Sequence, residues 1–379
     1  MTFARRGDAG PDGFPQATVS GRRRIVLVSR GLDEVGTGVQ VELAASGLMA
    51  SDWEVHAVIL TSSGDLAMRL EAVGVRVHRV SHRPTITVGC LPAVMAILAS
   101  LRPALVESWG WSTGWITTAA GNACGVPVAC RVGTCPGDSW WRRRVLRSSK
   151  LILADSAVLA DACRRHTRPE SVLRVVPPAA PSPVAGVDRS SLAERLGLRP
   201  DRPWTLCVAP IEAAARLEHL LFAIDQMEIV LPDVEHVLVG RGSQWNRISR
   251  RQRVQEIGDR LHHFESLEAV RLLVPHVALA WQAGDVSLGG AILDAMVAGV
   301  PAVAVKSPSV SGLVHDDRNG FLVASDPASD LTRRAVQVLE SPERSAAMGH
   351  EAWAVAEEYF SPMRSNAAHV EAIETLVAG

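Results

Sequence analysis

The chain of 379 residues carries no surplus of charge of either sign. Its formal net charge is −1, so no global field argues for nucleic acid as a partner. Its six cysteines (Cys90, Cys124, Cys130, Cys135, Cys163 and Cys207) show no CxxC pair and no Cys/His ligand spacing. They read as reduced core residues of a cytosolic protein, not as a zinc site. The twelve histidines are scattered, with no Ser–His–Asp or metal-binding constellation. His262 and His263 would alternate faces of a strand, so at most one can face a ligand. Long apolar runs are missing as well. The greasiest helical candidate, "LPAVMAILASL" from Leu91 to Leu101, is too short to cross a bilayer. The opening "MTFARRGDAGPDGFPQATVSG" lacks a run that could serve as a signal peptide and reads as a flexible tail. No short-period repeat is visible. These absences leave a cytoplasmic globular protein, free or at the inner face of the membrane, with no metal and no resident cofactor expected.

What is present is regular. With 47% hydrophobic and 21% charged residues, the length allows two domains with sizeable cores. From Arg24 onward, β-branched-rich runs recur as "RIVLVS", "WEVHAVIL", "VRVHRV", "ALVES", "PVACRV", "LILAD" and "LRVVP", most of them separated by helix-length segments. Such alternation predicts a parallel sheet covered on both faces. A proline-rich stretch from Pro177 to Pro203 has the composition of a linker. The alternation then restarts with "WTLCVAP", "VEHVLVG", "RLHHF", "VALAW", "PAVAV" and "GFLVA". The predicted fold class is therefore α/β, with two Rossmann-like domains facing across a cleft. Expected boundaries are a tail over 1–22, a first domain over 23–180, a linker over 181–203 and a second domain over 204–356. A last helix over 357–379 is expected to return to the first domain.

Ligands of doubly wound folds lie at the carboxyl ends of the strands, so candidate residues are sought in the loops there. In the first half, Gly36 and Gly38 precede a helix without forming a full GxGxxG, and no acidic residue clearly ends the second strand. A loop closing over an acceptor and a structural turn both fit. In "VESWGWSTGW", Glu107, Trp109 and Trp111 end a strand, and the tryptophans either stack on sugar rings or fill the core beneath a loop. "SWWRRRVLRSSK", from Ser139 to Lys150, mixes paired tryptophans with basic residues. It reads as a solvated basic helix face or as a peripheral membrane contact. In the second half, Arg216 either reaches a phosphate or pairs with Glu212 or Glu218. Gly240, Arg241 and Gly242 form a turn after a strand that topology places at the cleft. "GGAILDAMVAGVPAVAV" reads as a glycine turn at Gly289 and Gly290, an amphipathic helix carrying Asp294, a Gly-x-Pro stop and a buried strand. A helix opening on glycines offers free N–H groups and a positive dipole end to a phosphate.

From about Arg23 to the C-terminus, the order of these landmarks resembles the family 4 (group 1) glycosyltransferases of the GT-B fold. The features that carry the resemblance are the Gly36–Gly38 loop, "LILADSAVL" with Ser156, "VVPPAA", "VLVGRGS", "GGAILDAMVAGVPAVAV" followed by "GLVHDDRNGFLV", and "EEYFSP". The resemblance implies transfer of a sugar from a nucleotide-diphosphate donor to a glycan, lipid or small-molecule acceptor, with retention at the anomeric carbon and no metal. The donor would lie on the second domain, and basic side chains and helix N-termini would offset the charge of the leaving diphosphate. Asp294 would accept hydrogen bonds from the ribose, and the Gly289–Gly290 backbone would approach the sugar or phosphates.

Several positions depart from the family pattern. Its paired glutamates fall on Val286, or Asp285 with a one-residue slip, and on Asp294. Its donor-site Arg and Lys fall on Pro210 and Ala215, and Arg216 and Arg241 are the candidate substitutes. Its acceptor-side His falls on Gly133, its His-x-His on Glu107 and Trp109, and the Asn of its Pro-Asn-Gly turn on Pro178. A catalytically silent relative, acting as a binding or regulatory module, is the alternative these departures leave open.

Overall fold

The computed structural model describes residues 22–378, apart from 32–35, 62–65, 82, 84, 183–185, 266–269 and 287–290. The expected tail, up to residue 21, lies outside the described residues, as do Gly289 and Gly290.

Every β-branched-rich run named above becomes a strand. The first lobe holds β1 (Arg24–Ser29), β2 (Glu54–Ile59), β3 (Arg76–Arg79), β4 (Leu105–Trp109), β5 (Val128–Val132), β6 (Leu151–Ala154) and β7 (Val172–Val175). Between them run α1 (Thr37–Ala50), α2 (Leu66–Ala72), α3 (Cys90–Leu101), α4 (Trp111–Cys124), α5 (Trp140–Ser148) and α6 (Ala157–Arg164). A connecting helix, α7 (Arg189–Leu196), leads into β8 (Trp204–Val208), α8 (Leu217–Val230), β9 (Glu235–Val239), α9 (Trp245–Val254) and β10 (Leu261–Phe264). The second lobe continues with α10 (Val270–Leu273), β11 (Leu279–Gln282), α11 (Ile292–Val297), β12 (Ala302–Val305) and β13 (Gly320–Val323). Three helices close the chain: α12 (Ser329–Leu339), α13 (Pro342–Tyr359) and α14 (Pro362–Ala378).

The strands form a seven-stranded sheet in the order β3-β2-β1-β4-β5-β6-β7 and a six-stranded sheet in the order β10-β9-β8-β11-β12-β13. All named pairings are parallel. The central strands β4, β5 and β9 are buried along their whole length, because helices cover both faces. Strand order reverses between β1 and β4 in one sheet and between β8 and β11 in the other. A crevice at the carboxyl ends opens at each reversal.

The chain passes between lobes at two neighbouring places, near 177–182 and near 360. Ala180 N donates to Phe360 O at 2.6 Å, and Ser365 Oγ donates to Pro177 O at 2.7 Å. Gln40 of α1 grips the first passage from the side: its Nε2 donates to Ala179 O at 2.7 Å, and its Oε1 accepts from Ala179 N at 2.8 Å. Beyond Phe360, α14 packs on α1 and on the end of the first sheet.

Candidate functional site

The second lobe's reversal is built by a close approach of two loops. After β8 the chain makes one 3₁₀ turn, Ala213–Ala215, before α8 begins. Asp285 N, just past β11, donates to Ala214 O at 3.1 Å. Gly284 permits this contact, since a Cβ there would run into the backbone of Ala214 and Ala215. Arg216 joins the turn to α8 in a left-handed conformation, with φ 47° and ψ 41°. An L side chain adopts that region at a cost of roughly 1 kcal/mol or more. The carboxylates that might have paired with Arg216 are engaged elsewhere. Glu212 accepts from Ser243 N at 2.9 Å and Ser243 Oγ at 2.6 Å, and Glu218 pairs with Arg247 at 3.0 Å. Among the described residues, the Arg216 guanidinium has no carboxylate partner.

A cavity of about 400 Å³ opens here between the lobes, within the range of small-molecule sites. Arg216, Asp285 and Lys306 line it from the second lobe, and Thr134 and Arg142 from the first. Lys306 follows β12 and is exposed. Arg142 sits on α5, where its guanidinium carbon lies 5.5 Å from the Trp111 ring centroid and 5.4 Å from that of Trp141. Its Nη1 donates to Cys135 O at 3.0 Å. Burial draws the Arg142 pKa below the usual guanidinium value, and the nearby Asp285 carboxylate opposes that shift.

Asp294 lies in the first turn of α11 with its side chain 9% exposed, and Arg271 Nε donates to its Oδ1 at 3.1 Å. The same guanidinium also donates to Ser182 O of the interlobe connection. Burial pushes the Asp294 carboxyl up to about 6, against the opposing pull of Arg271.

Arg241 and its flanking glycines serve a different purpose from the one expected. Ile211 N donates to Arg241 O at 3.0 Å, and a Cβ at Gly240 or Gly242 would meet the carbonyls of Ala209 or Ile211. The glycines are thus required by the packing of loop on loop. The Arg241 side chain is exposed and does not line the cavity between the lobes.

Expectations for the first lobe also need correction. Glu107 and Trp109 are 0% and 2% exposed, so neither can meet an acceptor in this arrangement. β4 is central and covered on both faces, and α14 closes over its end. His369 Nε2 of that helix donates to Glu107 Oε2 at 2.8 Å and stands edge-on to the Trp109 ring. Arg131 stacks over Trp109 at 4.9 Å and donates to Asp155 at 2.8 Å, completing a buried polar cluster. Trp111 is nearly buried and donates from Nε1 to Thr134 Oγ1 at 3.0 Å. Of the alternatives for these tryptophans, filling the core holds. Gly133 is buried immediately before Thr134, and Gly36 and Gly38 sit at the start of α1, on the cleft side of the sheet. Pro178 borders a second interlobe cavity of about 650 Å³ beside the chain passages. No group of three or more His, Cys, Asp or Glu side chains is placed to hold a metal ion among the described residues.

Three residues at the cleft escaped the sequence reading: Arg142, Arg271 and Lys306. Only Lys306 carried a usable signal, because it follows a buried parallel strand directly.

Comparison with known proteins bears on the family and the fold. A family model described as "Glycosyl transferase 4-like domain" matches residues 35–179, and one described as "Glycosyl transferases group 1" matches residues 188–354. The chain is 27% identical over 304 residues to a GDP-mannose-dependent alpha-(1-6)-phosphatidylinositol monomannoside mannosyltransferase of Mycolicibacterium smegmatis, covering 72% of this chain and 78% of that one. Among solved structures, HepE of Anabaena in complex with UDP and glucose superposes with a TM-score of 0.78 at 16% identity, over 93% of this chain and 100% of that one. Sucrose-phosphate synthase from Thermosynechococcus elongatus gives 0.75 at 17% identity, over 94% and 100%. At these identities the solved structures speak to the fold alone, which is the GT-B arrangement.

Proposed function

Because the chain belongs to the group 1 glycosyltransferases, we propose that it moves a sugar from a nucleotide-diphosphate donor to an acceptor with retention at the anomeric carbon. The donor lies against the second lobe, with its diphosphate in the cavity beside Arg216. The acceptor enters from the first lobe. The observation that carries this reading is the Arg216 guanidinium, without a carboxylate partner among the described residues, at the strand-order reversal of the second sheet. As the bond from the sugar to the diphosphate breaks, negative charge grows on the departing phosphate oxygens. A preset cation stabilises that charge most when little water intervenes. Fixed cations make a metal unnecessary, so turnover survives EDTA.

The donor is sought by titrating GDP-, UDP- and ADP-sugars and following hydrolysis or transfer. GDP-mannose comes first, given the mycobacterial relative. Binding of none of them at millimolar concentration would remove the reading. The anomeric configuration of the product, read by NMR, tests retention. For the acceptor we favour a lipid-borne group at an anionic membrane surface. The relative's named acceptor is a phosphatidylinositol glycolipid, and α5 displays Trp140, 78% exposed, beside a run of arginines. Loss of vesicle binding in a Trp140→Ala variant is the expected result.

Asp294 is assigned to the ribose hydroxyls, with Arg271 holding its carboxylate in place. A carboxylate accepts such hydrogen bonds fully only when ionised. Donor affinity is therefore expected to hold above about pH 6 and to fall as pH drops through the Asp294 value. A nucleotide-sugar suits the measurement, because both its phosphates stay singly ionised across that range. The acid limb should flatten in Asp294→Asn, and an unchanged limb would remove the assignment.

A further inference from the structure

We propose that Arg142 and Lys306, one from each lobe, grip the donor's diphosphate together with Arg216, in place of the cations that Pro210 and Ala215 do not supply. The inference rests on the transferase reading above and extends it to residues outside the family's pattern.

Three observations support it. First, Arg142, Arg216 and Lys306 line one cavity, with Asp285 as the carboxylate among its lining residues. Among the described lining residues, three cations against one carboxylate leave a net charge equal and opposite to that of a diphosphate diester. Second, the cations are available. Among the described residues, neither Lys306 nor Arg142 has a carboxylate within salt-bridge distance, although both line the cavity. Third, Arg142 is already held in place. Its guanidinium lies beside the faces of two indoles and is tied to Cys135 O, so little side-chain freedom is lost when an anion arrives. Lys306 is a point charge on a flexible stem at the carboxyl end of β12, where an α/β sheet presents groups to ligands.

The test compares a nucleoside diphosphate with its parent nucleoside. UDP, GDP and ADP are titrated into the wild-type protein, and the tightest is carried into Lys306→Gln, Arg142→Met and Arg142→Lys. Each loss of charge is expected to weaken diphosphate binding by about tenfold or more, with nucleoside affinity unchanged and a shallower salt dependence. Arg142→Lys should fall between wild type and Arg142→Met. A merely structural role would lower both ligands together, and that outcome overturns the proposal. So does diphosphate affinity that the substitutions leave unmoved. A second measurement avoids substitution altogether. The sequence contains only two lysines, Lys150 and Lys306, and both are exposed. Saturating nucleoside diphosphate should slow acylation of Lys306 and leave Lys150 untouched. Equal labelling of Lys306 with and without ligand counts against the assignment. If the wild-type protein binds no nucleoside diphosphate, the transferase reading itself fails.

Discussion

Replacing Arg216 with glycine is expected to lower turnover of the nucleotide-sugar by roughly 100-fold while leaving the protein at least as stable as before. Withdrawing one charge-assisted contact from a developing oxyanion costs about 3 kcal/mol of transition-state stabilisation, hence the size of the kinetic loss. The direction of the stability change comes from the backbone. Arg216 holds φ 47°, a region open to glycine and strained for a residue with a Cβ. Relief of that strain opposes the entropic penalty of a glycine, so a thermal melt should show no loss. The pairing of outcomes is diagnostic: a variant that is slow because it is misfolded would melt early. Arg216→Lys retains charge but loses the guanidinium fork, so its turnover should lie between the two. Steady-state rates and melting curves on the same preparations decide the matter. Full activity in Arg216→Gly would displace the diphosphate from this cavity.

The second large effect concerns the C-terminal helix. His369→Ala should lower the free energy of unfolding by about 3 kcal/mol, since it strands the Glu107 carboxylate in the interior of the first lobe. Glu107 is wholly buried, and its other oxygen, Oε1, has no partner among the described residues. The urea midpoint should fall, and proteolysis should begin in α14, because the contact that fastens it to β4 is gone. Converting Glu107→Leu in the same protein removes the stranded charge and should restore much of the loss. Steady recovery of that kind places the pair in the structure of the lobe. An activity loss in Glu107→Leu/His369→Ala that outlasts recovered stability would return Glu107 to the acceptor site.

The strands were legible because a parallel sheet covered on both faces demands continuous β-branched runs, and few other structures do. "PVACRV" and "VEHVLV" left no competing reading. The orientation of Glu107 was not legible. A polar residue at the end of a buried strand looks the same whether it faces a cleft or a helix arriving from more than 250 positions away. Arg142 was hidden for a related reason. In "WWRRR" every arginine looks equivalent, and what sets Arg142 apart is Trp111, thirty-one positions earlier and on another helix. Arg241 misled in the opposite sense, because Gly-Arg-Gly after a strand resembles a ligand turn. Its glycines answer to the Ala209 and Ile211 carbonyls instead. Contacts between loops leave no periodicity to read.

The side-by-side passage of the chain at Ala180 and Phe360 bears on how such a cavity fills. With both tethers side by side, any relative movement of the lobes that leaves this contact intact would be a swing about that line. Arg142 stands on one lobe, while Arg216 and Lys306 stand on the other. The width of the gap between them therefore sets how many positive charges an entering anion meets at once.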